Sequence, residues 1–299
     1  MRTAFIQAFI EQARQHPRLF LAVGDLGFSV VEPFAREFPD RFLNVGVAEQ
    51  NMTGLAAGLA SEGWHVFTYS IANFPTLRCF EQFRNDVCYH NLPVTVVSVG
   101  AGLAYGNLGY SHHAVQDLAC FRTLPRCTVL SPADPGETRQ CLDHLVRHPG
   151  PSYLRLGKAG EPALHDVLMT DDSPLRVFGP ANAPRAMVAT GSILAEALAA
   201  ARQRAAESSE EVAVYSLPWI APMRVEALAS LWRHTHLFTV EEHVGPGGLG
   251  EMLAAARPAG VSATALCLNQ QDIEEVGSQS MLRRRHGVSA QDLVAAVEP

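Results

Sequence analysis

Excess positive charge is the first thing this sequence lacks. Its 23 lysines and arginines stand against 30 aspartates and glutamates, a formal charge of −7 over 299 residues. The diffuse positive field that draws proteins to phosphate backbones is therefore missing, and no nucleic-acid partner is expected. Long apolar runs are lacking too, because Asn, Arg, His or Asp breaks each one short of the roughly 20 residues that a membrane span needs. The opening MRTAFIQAFIEQARQ reads as an amphipathic helix, since charged and amide residues interrupt it before a signal-peptide core can form. No CxxC pair occurs. Cys79, Cys88, Cys120, Cys127, Cys141 and Cys267 are scattered through apolar surroundings, which fits reduced core thiols better than a disulfide framework or a zinc site. A cytoplasmic protein with no membrane partner is expected. Repeats and low-complexity segments are absent as well, and 47% hydrophobic with 18% charged residues excludes a disordered or fibrous chain.

What is present is an alternation. Short β-branched runs (LFLAVG, FLNVG, HVFTYS, PVTVVSVGAG, CTVLSP, SYLRLG) are separated by small-residue or amphipathic stretches, the rhythm of a parallel sheet with helices on both faces. Asp134 before Pro135 suits a helix N-cap followed by proline at the first helical position. From Lys158 to Pro174 periodicity vanishes among Gly, Pro and Asp, which reads as a linker. The alternation then restarts with strand RAMVATGS, helix LAEALAAARQRAA, strand VAVYSL, helix VEALASLWRH, strand HLFTVEE and a Gly-rich turn GPGGLG opening another helix. The expected architecture is α/β, two doubly wound domains with mostly parallel sheets, at residues 1–165 and 176–299 with a linker at 166–175. The GPGGLG turn could cradle an anion at a helix N-terminus, or it could serve close packing of helix on sheet; it is not the dinucleotide fingerprint.

The most informative stretch is NVGVAEQNM followed by TGLAAGLASEG. Gly54, Ala57 and Gly58 leave a thin helix face that suits a core or a subunit interface. Glu49 falls near the start of that helix, where it can complement the helix dipole. A carboxylate among Val, Ala, Met and Leu is nevertheless costly to bury without a partner or a task.

With GDL near the start, VGVAEQN, FTYSIANF, GNLGYSHHAVQD, VLSPADPGE, SYLRLGK and VEEHVGPGGLGE in this order, the whole chain resembles the C-terminal half of transketolases and their relatives. These include deoxyxylulose-phosphate synthases and the β subunits of 2-oxo acid dehydrogenases, all users of thiamine diphosphate. The resemblance implies a pyrimidine-binding domain followed by a transketolase C-terminal domain. It makes Glu49 the carboxyl that hydrogen-bonds the cofactor's aminopyrimidine and Phe74 the ring stacked on it, with Asp25 and Leu26 near the thiazolium. Tyr69 and Phe80 read as packing residues. His112 would face the substrate's oxygens for proton transfer, with His113 beside it to orient it or shape the pocket. Ser29, Arg78, Arg155 and Lys158 are candidate contacts to a substrate phosphate or another anion. His234 and His236 form no metal set, and no metal ligand is expected in this chain.

Two departures and one absence qualify the resemblance. Leu108 stands where transketolases commonly carry an acid that reads an acceptor hydroxyl, which points to a deoxy, branched, sulfonated or otherwise unusual sugar. Lys158 replaces a phosphate-binding arginine, keeping the charge and losing the bidentate fork. The GDG motif and asparagine that hold Mg²⁺ in this family are missing, the one Gly-Asp being Gly24-Asp25. The resemblance therefore implies a separately encoded N-terminal partner carrying the diphosphate and Mg²⁺ domain, an α₂β₂ assembly, and transfer of a two-carbon ketol unit. The rival enzyme reading is the β subunit of a decarboxylating 2-oxo acid enzyme, against which the paired His112-His113 counts. A noncatalytic partner-binding module is the rival of another class.

Overall fold

Apolar β-branched segments buried on both faces must lie inside a covered sheet, and two such sheets organise the chain. The computed structural model describes residues 1–170, 172–207 and 211–298, so position 171 of the expected linker lies outside the described residues. The first sheet holds six parallel strands, β1 (Leu19–Val23), β2 (Phe42–Asn44), β3 (His65–Ile71), β4 (Val94–Val99), β5 (Thr128–Leu130) and β6 (Ser152–Leu156). The second holds β7 (Leu175–Phe178), β8 (Arg185–Thr190), β9 (Val212–Ser216), β11 (His236–Val244) and β12 (Ser262–Leu268), in the order β12-β11-β8-β9-β7. It is parallel except for β7. Between them in sequence, β10 (Trp219–Ala221) leaves its own half and pairs antiparallel with β5, completing the order β10-β5-β6-β4-β3-β1-β2. Pro218 and Pro222 bracket β10 and obscure it in the sequence, and an edge strand is where flanking prolines are tolerated.

Helices α1 (Arg2–Gln15), α2 (Glu32–Glu37) and α6 (Pro135–Arg147) are accompanied by α3 (Glu49–Ser61), α5 (Asp117–Phe121) and α4 (Phe80–Gln82), which runs on as a π-helix over Phe83–Cys88. The second half adds α7 (Leu194–Glu207), α8 (Leu249–Ala256), α9 (Gln279–Arg285) and α10 (Ala290–Ala296). Strand alternation splits the core. Leu21, Phe67 and Val97 face Phe5, Phe9 and Phe34 on one side, whereas Ala22, Val66 and Val96 face Met52, Ala56 and Phe121 on the other. The latter cluster continues into Val188 and Tyr215 of the second sheet and Leu249 of α8, so the two halves share one apolar core. Asp134 caps α6 by accepting from the Glu137 backbone N–H at 2.8 Å. Residues 159–174 carry no helix or strand among those described. They are tied down on α6, where the Leu164 N–H donates to Asp134 and His165 meets Glu137 at 2.9 Å. The expected helix VEALASLWRH is instead a 3₁₀ segment, Val225–Arg233, with Leu228 and Leu231 buried. Their spacing of three matches the 3₁₀ period.

Glycines at 54 and 58 are exposed with open space where a Cβ would stand, whereas Ala57 of the same stretch is buried in the core, so the two glycines lie off the core in the single chain. No helix among the described residues is long and apolar enough to cross a membrane.

His65 gives this fold a titration. It is buried on β3, its Nε2 is 3.2 Å from Thr95 Oγ1, and Thr95 Oγ1 is in turn 2.7 Å from Ser152 Oγ, which stitches β3, β4 and β6. Burial pushes the imidazole down from 6.5 to about 4. The unfolded chain therefore binds more protons than the folded chain between these values, and stability is lost as pH falls from 6.5 toward 4 while staying level above 6.5. The expected loss is on the order of 3 kcal/mol in urea titrations. His65→Gln should flatten that slope, and an unchanged slope would remove His65 as its origin.

Candidate active site

Every parallel strand of an open α/β sheet delivers its following loop to the same edge, which is where ligands bind. The loop after β1 carries Gly24-Asp25-Leu26, the one after β2 leads through Gly46 to Glu49, and those after β3 and β4 carry Phe74 and His112. Four side chains then make a chain of contacts. The Arg78 guanidinium donates from Nη1 to Glu49 Oε2 at 2.8 Å and lies 4.7 Å over the centroid of Phe74. Phe74 meets the His112 ring edge-on at 5.3 Å. Asn73 locks the two loops by donating from Nδ2 to the Ser111 and His113 carbonyls at 3.2 and 3.0 Å.

Glu49 opens α3 and its side chain is 1% exposed, whereas Arg78 is 45% exposed. One carboxylate oxygen is thus paired, while the other, Oε1, is buried without a hydrogen-bond partner in the protein. Such an orphan is expensive unless a ligand donor completes it. Gly24 packs closely beside it, since a Cβ there would come within 3.2 Å of Glu49 Cγ and press on the carboxylate. His112 is half-buried, with Nδ1 3.0 Å from Ser111 Oγ; burial first, and His113 second, hold it below the ordinary imidazole value. It is therefore neutral near pH 7, able to give or take a proton at Nε2. A buried acceptor, a half-buried ring and a neutral imidazole in this arrangement fit a flat nitrogen heterocycle carrying an N–H toward Glu49.

Asp25 points elsewhere. Its carboxylate accepts from Asn44 Nδ2 at 2.9 Å, and Asn44 Oδ1 accepts from the Asp25 and Gly46 backbones, both at 3.0 Å. Asn44 joins the β1 and β2 loops and thereby sets the approach to Glu49; a polar residue at a strand end carries no such signal in sequence. Leu26 is half-buried beside Asp25. Ser29 is exposed, with φ at +62°, and its backbone N–H donates to Glu32 at 2.8 Å. Lys158, the one lysine of the sequence, is exposed just past β6. Neither Ser29 nor Lys158 makes a hydrogen bond or ion pair with Glu49, Arg78, Phe74 or His112. Arg78 joins Glu49 through the carboxylate.

Two expected substrate contacts are corrected. Arg155 is 2% exposed, and its guanidinium donates from Nε to Asp117 at 2.7 Å and from Nη2 to the Ala114 carbonyl at 2.7 Å and the Glu242 carbonyl at 3.0 Å, so it is buried and engaged in holding the fold together. Its place inside β6, with the side chain on the covered face, is the reason. His113, expected to touch substrate or to shape the pocket, is fully buried with Nδ1 2.8 Å from the Ile273 carbonyl and Nε2 3.2 Å from that of Gly106, a position that shapes the loop from behind His112. Of the two readings of the GPGGLG turn, the structure bears out close packing and excludes the anion site. Glu241 already occupies the N-terminus of α8, accepting from Leu249 and Gly250 at 2.7 and 2.8 Å, and a Cβ at Gly248 would collide with its carboxylate. Burial raises Glu241 to about 7.

Residues that sequence reasoning misses are those that support the loops: Asn44, Asn73, Asp117, and the pair Glu242–Arg283 at 2.5 Å. Phe28, Val47, Leu77, Leu108 and Tyr110 are large apolar side chains left exposed on the loops that carry the cluster. No group of three or more potential metal-ligating His, Cys, Asp or Glu occurs among the described residues.

Comparison with known proteins agrees along the whole chain. The transketolase pyrimidine-binding domain matches residues 1–160, and the transketolase C-terminal domain matches residues 185–293. The B component of the apulose-4-phosphate transketolase of Actinobacillus succinogenes is 33% identical over 299 residues, covering 97% of this chain and 94% of that protein. The 6-deoxy-6-sulfo-D-fructose transketolase subunit SqwH of Clostridium sp. strain MSTE9 is 30% identical over 304 residues, covering 99% and 92%. A solved split-gene transketolase, an inactive β4 tetramer, superposes with a TM-score of 0.85 at 33% identity and covers 99% of this chain and 96% of its own.

Replacing Arg155 by Met leaves Asp117 as an unpaired buried charge. The expected cost is about 3–5 kcal/mol of unfolding free energy in urea. The double variant with Asp117→Leu should recover part of it, and a single variant as stable as the parent would show that Arg155 is dispensable.

Proposed function

Because this chain belongs to the transketolase family, as its pyrimidine-binding and C-terminal domains, we propose that it is the C-terminal subunit of a two-component enzyme that uses thiamine diphosphate to move a two-carbon ketol unit between sugars. The observation that carries this reading is the buried, partnerless Oε1 of Glu49 beside the Phe74 ring and the neutral His112. When bound, the cofactor supplies a nucleophilic carbon that accepts the ketol unit and releases it. This chain's residues do the rest. Glu49 accepts the pyrimidine N–H at Oε1 and holds the ring in the tautomer that can remove a proton. Phe74 packs against the ring. His112 donates protons to, and takes them from, the substrate's carbonyl and hydroxyl oxygens at Nε2. Asp25, fixed by Asn44, and Leu26 line the approach.

The diphosphate and Mg²⁺ are then held by an N-terminal subunit, docked on Phe28, Val47, Leu77, Leu108 and Tyr110, since apolar side chains clustered on site loops mark an interaction surface. An α₂β₂ assembly in the cytoplasm completes the proposal, with the thin α3 face available for subunit packing. The named relatives act on a sugar 4-phosphate and a 6-sulfo sugar, and we read Lys158, with Ser29, as contacts to such an anionic group. Leu108, 51% exposed, favours an acceptor without a hydroxyl to be read by an acid at that position.

Calorimetry with thiamine diphosphate and Mg²⁺ should show binding to this chain mixed with its N-terminal partner and to neither alone. Glu49→Gln should lower kcat of the complex by at least about 100-fold with an unchanged circular dichroism spectrum; parental turnover would overturn the role. Lys158→Ala should raise KM for a phosphorylated or sulfonated sugar with kcat nearly unchanged, whereas an unchanged KM would remove it from the anion contact.

A further inference from the structure

We propose that Arg78 is a placeholder for the aminopyrimidine: in the unloaded chain its guanidinium sits in the ring's seat, bonded to Glu49 and stacked on Phe74, and it leaves that seat when the cofactor enters. This rests on the cofactor reading above. A guanidinium is flat, delocalised and edged with N–H donors, the properties by which an aminopyrimidine would be recognised here. It addresses the same two groups as the ring would, donating at 2.8 Å to Glu49 Oε2, the oxygen next to the open Oε1, and lying 4.7 Å over the Phe74 centroid. The carboxylate has an oxygen for each, Oε2 for the arginine and Oε1 for the ring, but one face of Phe74 cannot carry two flat groups, so seated arginine and bound pyrimidine compete for that face.

Two observations make the arginine able to move. Its side chain is 45% exposed, with solvent beside it, whereas Glu49 is 1% exposed and fixed at the start of α3. Its backbone is held independently of the guanidinium, since the Arg78 N–H donates to the Asn73 carbonyl at 3.2 Å and its carbonyl accepts from Gln50 Nε2 at 3.1 Å. Release therefore costs one ion pair and one stacking contact and no refolding. The arrangement also explains how the unloaded chain tolerates a buried carboxylate: Arg78 is its counter-charge until a ligand donor replaces it.

Competition has a signature with two opposite signs. Arg78→Ala leaves Glu49 unpaired and so lowers the Tm of the chain alone, yet it removes the competitor and so tightens ligand. A seated arginine favoured about tenfold lowers apparent affinity by about tenfold, and its removal restores that factor. The probe for the chain alone is 4-amino-5-hydroxymethyl-2-methylpyrimidine, the aminopyrimidine fragment, titrated by NMR; the probe for the complex with the N-terminal subunit is thiamine diphosphate with Mg²⁺, titrated by calorimetry. Arg78→Lys, which keeps the charge and loses the flat fork, provides a folded variant with intermediate tightening should the alanine variant be too unstable. Lower Tm with several-fold tighter binding supports the placeholder. Unchanged or weaker binding in the variants, with the parent complex binding normally, overturns it and makes Arg78 a ligand contact or a bystander. No binding of thiamine diphosphate with Mg²⁺ by the parent complex or the variant complexes overturns the cofactor reading itself, and the placeholder with it.

Discussion

A guanidinium buried inside a sheet is the constraint on which this structure turns. Arg155 cannot shed its charge, so the fold must bring acceptors to it, and they come from three separate places: Asp117 on α5, the Ala114 carbonyl behind the histidine loop, and the Glu242 carbonyl at the end of β11. Tyr153 adds its hydroxyl to the same Asp117 at 2.5 Å. Glu242 meanwhile spends its carboxylate on Arg283 and Gln279 of α9. One ion pair thus fixes the loop that presents His112 and clamps the second sheet against the first. Each group is costly to bury alone and tolerable only in the full set.

Glu49 presents the opposite situation. Its environment satisfies half of a carboxylate and leaves the other half open, at the boundary between a fixed helix start and exposed loops. Large apolar side chains stand exposed on the loops that carry it and its neighbours. A site of this form suits the proposed assembly, in which a second subunit covers the loops of a chain that matches the two transketolase domains.

Much of this is legible in the sequence for a physical reason. Buried parallel strands demand continuous β-branched runs, and the GDL, VGVAEQN, FTYSIANF and GNLGYSHH segments lie at strand ends, where backbone geometry restricts residue choice. Glu49, Phe74 and His112 stand in mutual reach, directly or through Arg78. What cannot be read is where each charge points. Arg155 and Lys158 are three residues apart, yet one faces the covered side of β6 and the other solvent, and no periodicity separates a structural arginine from a ligand-binding one. His113 differs from His112 in the same way. The Gly-rich turn at α8 admits an anion site on sequence alone because its occupant, Glu241, lies several residues upstream on the neighbouring strand. Short β10, framed by prolines, carries no strand signal at all.

That small strand has a consequence for how this protein can be taken apart. The chain looks modular, two α/β units joined by a structureless strap, and a designer would cut it at the strap to express either half. Yet Trp219–Ala221 is the outermost rung of the other unit's sheet, and the backbone N–H of Ser131, just past β5, reaches across to the Pro218 carbonyl at 2.7 Å. Severing the strap would strip the first sheet of its border and bare the β5 edge, a template for stray strand addition. The second fragment would keep an orphaned rung and lose the apolar surface shared with the first. Shuffling of halves among relatives is therefore workable only if β10 travels with the sheet it borders, which its place in the middle of the second unit forbids.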